Sequence, residues 1–215
     1  MSDDVVLVKK HANGLAEVTM NRPEIFNALN VELQARLTEV FMDLGADDEV
    51  RFITLTGAGK HFCAGGDINY LLETGQWSVA DNQADAEKLA KMLNTIFTCP
   101  KPVIGLINGA AYGGGCELAA AVDFAYVAEG AKFAQTEVKI GIIPGAGGTQ
   151  TLPRAIGERR AKELILTGQV FNARQALEWG LANAVYSAEE LLPAALKTAQ
   201  AIAANAPVAV RQAKQ

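Results

Sequence analysis

The stretch VIGLINGAAYGGGCELAAA, residues 103–121, decides the fold class. It opens on Val103 to Ile107, a continuous apolar run that reaches a glycine at Gly109. Such a run is the mark of a strand buried on both faces, the kind that parallel sheets use. Three glycines follow, Gly113-Gly114-Gly115, and directly after them Glu117 to Ala121 reads as an Ala/Leu helix. Strand, glycine, open loop and helix are the parts of an α/β unit.

The same unit occurs upstream. Phe52-Ile53-Thr54-Leu55 is a short apolar strand ending at Gly57, and Gly57 to Gly66 is a glycine-rich loop. Nothing else aligns between the two stretches, so the repeat is weak. Further outward, Val5 to Val8 is apolar, and Ala16, Val18 and Met20 alternate with polar residues after an Asn13-Gly14 turn. Asn30 reads as the N-cap of a helix carrying Leu33, Leu37, Val40, Phe41 and Leu44, with Gly45 as its stop. A second helix is expected from about Asp81 to Phe97, ended by Pro100 and Pro102. The polar residues from Gly75 to Ala80, with Asn82-Gln83, read as a mobile segment. Phe124 to Val127 is another strand, and the loop Ile140 to Gly148 leads into helical segments through Gly168. An Ala-rich helical tail follows from Glu189, and Pro207 to Gln215 begins one more helix. The alternation predicts an α/β fold.

Composition narrows the function. Half of the 215 residues are apolar, enough for a buried core. The net charge of −5 argues against a nucleic-acid surface. No apolar run approaches a membrane span. Met1 to Lys10 carries Asp3 and Asp4 ahead of its apolar run, unlike a secretory signal. Cys63, Cys99 and Cys116 show no paired spacing, so a reducing, cytoplasmic location is expected. With only His11 and His61, and no clustered cysteines, no metal site is expected.

The glycine loops are the first candidates for chemistry. Both lie beyond the carboxyl ends of strands, where α/β sheets bind ligands. Two unobstructed N–H groups aimed at one point make an oxyanion hole. The alternative is that these glycines serve tight turns, but three in a row opening a helix favour function. A Walker loop fails because Gly59-Lys60 is followed by His61, and no Gly-x-Gly-x-x-Gly occurs. Among the carboxylates, Glu117 sits in a helix otherwise made of Leu and Ala, where burial is expected. It is either a helix-dipole charge or a working group. Glu137, before the proline-glycine loop, is either an exposed helix-start residue or its partner. Asp67 could be a loop cap.

Several of these residues are similar to a known family. Asn21-Arg22-Pro23 with Asn27-Ala28-Leu29, Phe62 to Asp67, Lys101 to Ile104, Gly109 to Ala119, Ile143 to Gln150 and Leu152-Pro153-Arg154 resemble the enoyl-CoA hydratase/isomerase, or crotonase, superfamily, in order and at its spacing. The resemblance implies a crotonase-like spiral of β-β-α units over residues 1–190. Residues 191–215 would begin a C-terminal helical region, truncated relative to the family, whose members continue for several tens of residues with helices that build a trimer. It implies a hydratase that adds water to a 2-enoyl-CoA, with Glu117 and Glu137 as its two glutamates and the amides of Gly66 and Gly114 as its oxyanion hole. Ala64 would lie near the adenine of coenzyme A, and Gly65, Asp67, Ile68, Tyr112, Gly113, Pro144 and Gly145 would line the substrate. Coenzyme A would be part of the substrate, with no separate cofactor and no metal. The implied partners are an acyl-CoA thioester and further copies of the chain, as a homotrimer or dimer of trimers, with neither nucleic acid nor membrane. No residue supplying charge to the CoA phosphates from that C-terminal region is identified, and Asn69 stands where a basic residue is frequent in the family. A double-bond isomerase and a non-catalytic truncated scaffold are the competing expectations.

Overall fold

A computed structural model describes residues 4–214; Met1 to Asp3 and Gln215, part of the first and last segments read above, lie outside them. A hairpin opens the chain: β1 (Val6–Lys10) runs antiparallel to β2 (Leu15–Met20). The turn between them needs Gly14, whose φ is +84°. Asn30 caps α1 (Val31–Ala46) by accepting from Leu33 N at 3.0 Å. Gly45 does not stop that helix. It is small because a Cβ there would stand 3.1 Å from Pro100 Cδ.

After β3 (Phe52–Gly57) come α2 (Ile68–Thr74) and α3 (Val79–Phe97). Of the segment read as mobile, residues 75–78 form the turn between α2 and α3, and Val79, Ala80, Asn82 and Gln83 belong to α3. Ser78 caps α3 by accepting from Asp81 N, and Asn82 lies within the first turns. β4 (Val103–Ile107), β5 (Ala111–Tyr112) and α4 (Gly114–Ala121) form the stretch quoted first. β6 (Phe124–Ala128) and β7 (Lys132–Ala134) lead to α5 (Gly148–Ile156) and α6 (Glu158–Thr167). β8 (Phe171–Asn172), α7 (Ala173–Trp179) and β9 (Ala184–Tyr186) follow, and then α8 (Leu191–Ala203) and α9 (Pro207–Lys214).

The large sheet has the order β1-β2-β3-β4-β6-β9 and is parallel beyond the first pair. Its central strands β3, β4 and β6 are apolar on both sides because both faces are covered there. Ile53 and Leu55 point into the main core, while Phe52, Ile104, Leu106 and Tyr126 pack on Leu191, Ala195 and Ala199 of α8. A second, smaller layer lies beyond the strand ends. In it Leu29 pairs with Gly66, Cys63 with Ala111, β5 with β7, and β7 with β8.

The two layers give the weak sequence repeat its meaning. Each turn starts on the large sheet, passes through the small layer and returns by a helix. β2 leads through Leu29 to α1, β3 through 62–66 to α2 and α3, β4 through β5 to α4, and β6 through β7 to α5. This is the β-β-α spiral. Consecutive turns lie side by side, so the loop of one touches the loop of the next.

Candidate active site

The two glycine loops meet in the small layer. Leu29 N donates to Gly65 O at 2.7 Å and Asp67 N donates to Leu29 O at 2.9 Å. That pairing uses the residues on either side of Gly66, so the Gly66 N–H points to the opposite edge. The opposite edge is where Gly114 stands. A Cβ on Gly65 would lie 3.3 Å from Gly114 N, and one on Gly114 would lie 3.8 Å from Gly65 Cα. Gly114 is the first residue of α4, so its N–H has no carbonyl one turn back. Gly65 takes a φ of +92°, and a Cβ there would press on Tyr112 O at 2.7 Å. Glycine is required at this position by both conformation and space.

The carboxylates come to the same place. Among the described residues, Glu117 and Glu137 are the buried charged side chains, 2 % and 7 % exposed. Glu117 lies in the first turn of α4, and its carboxylate reaches the start of α5. Oε1 accepts from Gly148 N at 2.7 Å and from Ala146 N at 3.0 Å. Oε2 faces the Gly114 backbone, 4.0 Å from where a Cβ on Gly114 would be. One oxygen is thus clamped by two amides and the other faces the glycine loops. Glu137 opens a single 3-10 turn three residues past the end of β7, and its Oε1 lies 3.3 Å from where a Cβ on Gly113 would be. It is buried rather than an exposed helix-start residue.

Electrostatics ties the two together. Burial pushes the Glu117 carboxyl up to about 7, helped by the charge of Glu137 and opposed by the two amides. Burial also raises Glu137, against backbone N–H groups that favour its charge. The negative charge of Glu137 thus adds to burial in favouring a proton on Glu117.

Gln135 is a site residue that sequence reasoning missed. It is 1 % exposed, and its Nε2 donates to Glu137 Oε1 at 3.3 Å. A Cβ on Gly148 would meet Glu117 Oε1 at 2.9 Å and Gln135 Nε2 at 3.0 Å, so Gln135 lies between the two glutamates. Its Oε1 is the one buried side-chain polar atom among the described residues without a partner. No sequence signal marks it beyond a polar residue in a buried strand end. The amides of Ala146 and Gly148 were also missed, because a backbone donor has no residue type to read.

The other expected residues are spread more widely. Ala64, Gly65, Asp67 and Ile68 lie along the Gly66 segment, with Ile68 73 % exposed at the start of α2. Asp67 is engaged by the fold, because Oδ1 accepts from Asn69 N and Oδ2 pairs with Arg22. Tyr112 lines a cavity of about 650 Å³ with Lys60, His61 and Asn108. Pro144 and Gly145 line a different one of about 510 Å³ with Leu93 and Phe97. Neither cavity is lined by Glu117 or Glu137. No group of three or more metal-ligating side chains occurs among the described residues, and none of their helices is long and apolar enough to cross a membrane.

Residues 10–215 match the family model described as enoyl-CoA hydratase/isomerase. The chain is 41 % identical to a short-chain-enoyl-CoA hydratase of Clostridium acetobutylicum, covering 99 % of this chain and 80 % of that protein. It is 39 % identical to a crotonyl-CoA hydratase of Syntrophomonas wolfei, with 99 % and 80 % covered. The crystal structure of an enoyl-CoA hydratase from Bacillus anthracis superposes with a TM-score of 0.91 at 37 % identity, over 98 % of this chain and 81 % of that one.

Proposed function

Since the chain belongs to the enoyl-CoA hydratase/isomerase family, we propose that it adds water, reversibly, across the 2,3 double bond of a 2-enoyl-CoA thioester to give a 3-hydroxyacyl-CoA. The observation that carries this reading is the pair Glu117 and Glu137, two buried carboxylates beside the amides of Gly66 and Gly114. On this reading the thioester oxygen sits between the two N–H groups. As water attacks C3, the double-bond electrons move towards that oxygen, and the two fixed dipoles stabilise the enolate-like charge. Glu117 takes a proton from the attacking water through its free oxygen. Glu137 delivers a proton to C2 as the electrons return. The new bonds are C3–OH and C2–H, and both come from one water once the proton passes within the pair. A Glu117 carboxyl raised to about 7 can both take and return a proton near neutrality, which suits a reaction run in both directions.

Coenzyme A enters as part of the substrate and no separate cofactor is needed. Ala64 O would accept from the adenine amino group, and Gly65, Ile68, Tyr112, Gly113, Pro144 and Gly145 would line the acyl-CoA. Asp67 would act by shaping the loop. Assembly as a homotrimer or dimer of trimers belongs to the same reading and is read by light scattering.

Isomerisation of a 3-enoyl-CoA needs one carboxylate to carry a proton between carbons, whereas hydration uses two. The test compares initial rates on a short 2-enoyl-CoA and its 3-enoyl isomer. Faster hydration is expected; isomerisation dominant over hydration would overturn the assignment.

A further inference from the structure

The Gly66 amide has no regular strand to hold it. Its position depends on a closed ring of contacts that the mechanism above does not use. We propose that Arg22 is the positioning residue of the two-amide carbonyl site, tying Ala28 to Asp67 and so holding the Gly66 N–H beside Gly114. The proposal rests on the reading of Gly66 and Gly114 as donors to a thioester oxygen.

Arg22 Nη1 donates to Ala28 O at 2.5 Å and Nη2 donates to Asp67 Oδ2 at 3.2 Å. Both charged side chains are 14 % exposed, so the pair is largely shielded from water. Ala28 precedes Leu29 and Asp67 follows Gly66, and Leu29 is the residue that brackets Gly66 with two backbone bonds. The guanidinium therefore closes the ring from outside: Ala28 and Leu29 on one segment, Gly65 to Asp67 on the other, and Arg22 across their ends. Asp67 Oδ1 meanwhile accepts from Asn69 N and starts α2, so the same carboxylate fixes where the loop stops.

Arg22 is itself held. Asn27 is fully buried in the left-handed region, with φ +56°. Its N donates to Arg22 O at 2.8 Å, and its Oδ1 accepts from Arg22 N at 2.9 Å. Asn27 Nδ2 donates to Ala58 O and His61 O, at 3.0 and 2.8 Å, which anchors the brace to the loop after β3. A planar fork of donors can reach a carbonyl and a carboxylate at once, whereas an ammonium is a point charge. Removing the guanidinium leaves a shielded carboxylate unpaired at the end of the Gly66 segment.

The test separates this brace from the site it serves. The probe is p-dimethylaminocinnamoyl-CoA, an electron-rich conjugated thioester whose absorption moves to longer wavelength as its carbonyl is polarised. The wild type should shift the bound probe. Arg22→Met should lose half or more of that shift and lower kcat roughly 10–100-fold with KM within about threefold, since a donor is displaced rather than deleted. Asp67→Asn breaks the same pair while keeping an oxygen for the cap. It should move both readouts in the same direction, and Arg22→Met with Asp67→Asn together should lose little more than either alone. If Arg22→Met does not fold, Asp67→Asn alone decides. A wild-type-sized shift with kcat within twofold of wild type in whichever variant decides overturns the proposal. Absence of a shift in the wild type overturns the thioester-carbonyl reading itself, and the brace falls with it.

Discussion

Replacing Glu117 with glutamine removes a buried charge while keeping the shape of the side chain. The glutamine carbonyl can still accept from Gly148 and Ala146, and its amide takes the place of the free oxygen. The carboxyl rises from an ordinary 4.5 to about 7 in the folded protein, so the folded state holds a proton that the unfolded chain has already released. A raised acid contributes its full stability below the unfolded value and loses it as pH rises through the folded one. Between about pH 5 and pH 8 the wild type should therefore lose on the order of 2–3 kcal/mol at this residue, while the variant loses none. For a chain of this size that corresponds to a difference in Tm that changes by roughly 5–10 °C over the interval. Glu137 is raised in the same direction but is present in both proteins, so it largely cancels in the comparison. The assay is thermal or urea unfolding of both proteins at several pH values. Parallel stability curves would refute the claim that Glu117 is a desolvated, proton-holding acid.

Other substitutions follow from the same geometry. Gly148→Ala puts a Cβ 2.8 Å from Glu117 Cγ; it should cost about 1–3 kcal/mol in unfolding experiments and lower kcat by displacing the carboxylate. Gly65→Ala, at φ +92° against a backbone oxygen, should cost at least about 2 kcal/mol. Gly66→Ala meets the branched end of the Leu71 side chain at 3.0–3.4 Å, with no backbone atom in the way, and should cost less than Gly65→Ala, about 1 kcal/mol; equal costs at the two positions would contradict this reading. Gln135→Met removes an unpartnered buried oxygen along with two long hydrogen bonds to the Glu137 carboxylate, so stability should change by less than about 1 kcal/mol. Its kcat should nonetheless fall, and an unchanged kcat would show that Gln135 does not hold Glu137.

The legible parts of this molecule are those where composition conflicts with position. Glu117 stood out because a lone acid in an Ala/Leu helix must be buried, and the structure buries it. The apolar runs at Phe52 and Val103 announced central strands because both faces of the sheet are covered. Glu137 was undecided from sequence because its burial depends on β5, β7 and β8, strands of two or three residues too short to show a period. The stretch around Gly75 to Gln83 looked mobile because its residues are polar. From Val79 onward it is a serine-capped, solvent-facing helix, which needs no apolar pattern. Arg22 and Asn27 were visible as motif residues, but a side chain that braces a distant loop leaves no local pattern from which its partner can be read.

The most direct measurement follows loss of the conjugated-thioester absorbance of a short 2-enoyl-CoA with the wild type, Glu117→Gln and Glu137→Gln. The wild type should consume the substrate and form a 3-hydroxyacyl-CoA. Each variant should be slower by at least roughly tenfold to a hundredfold, because each removes one of two proton carriers acting on one water. Wild-type turnover surviving in either variant would contradict the two-glutamate account.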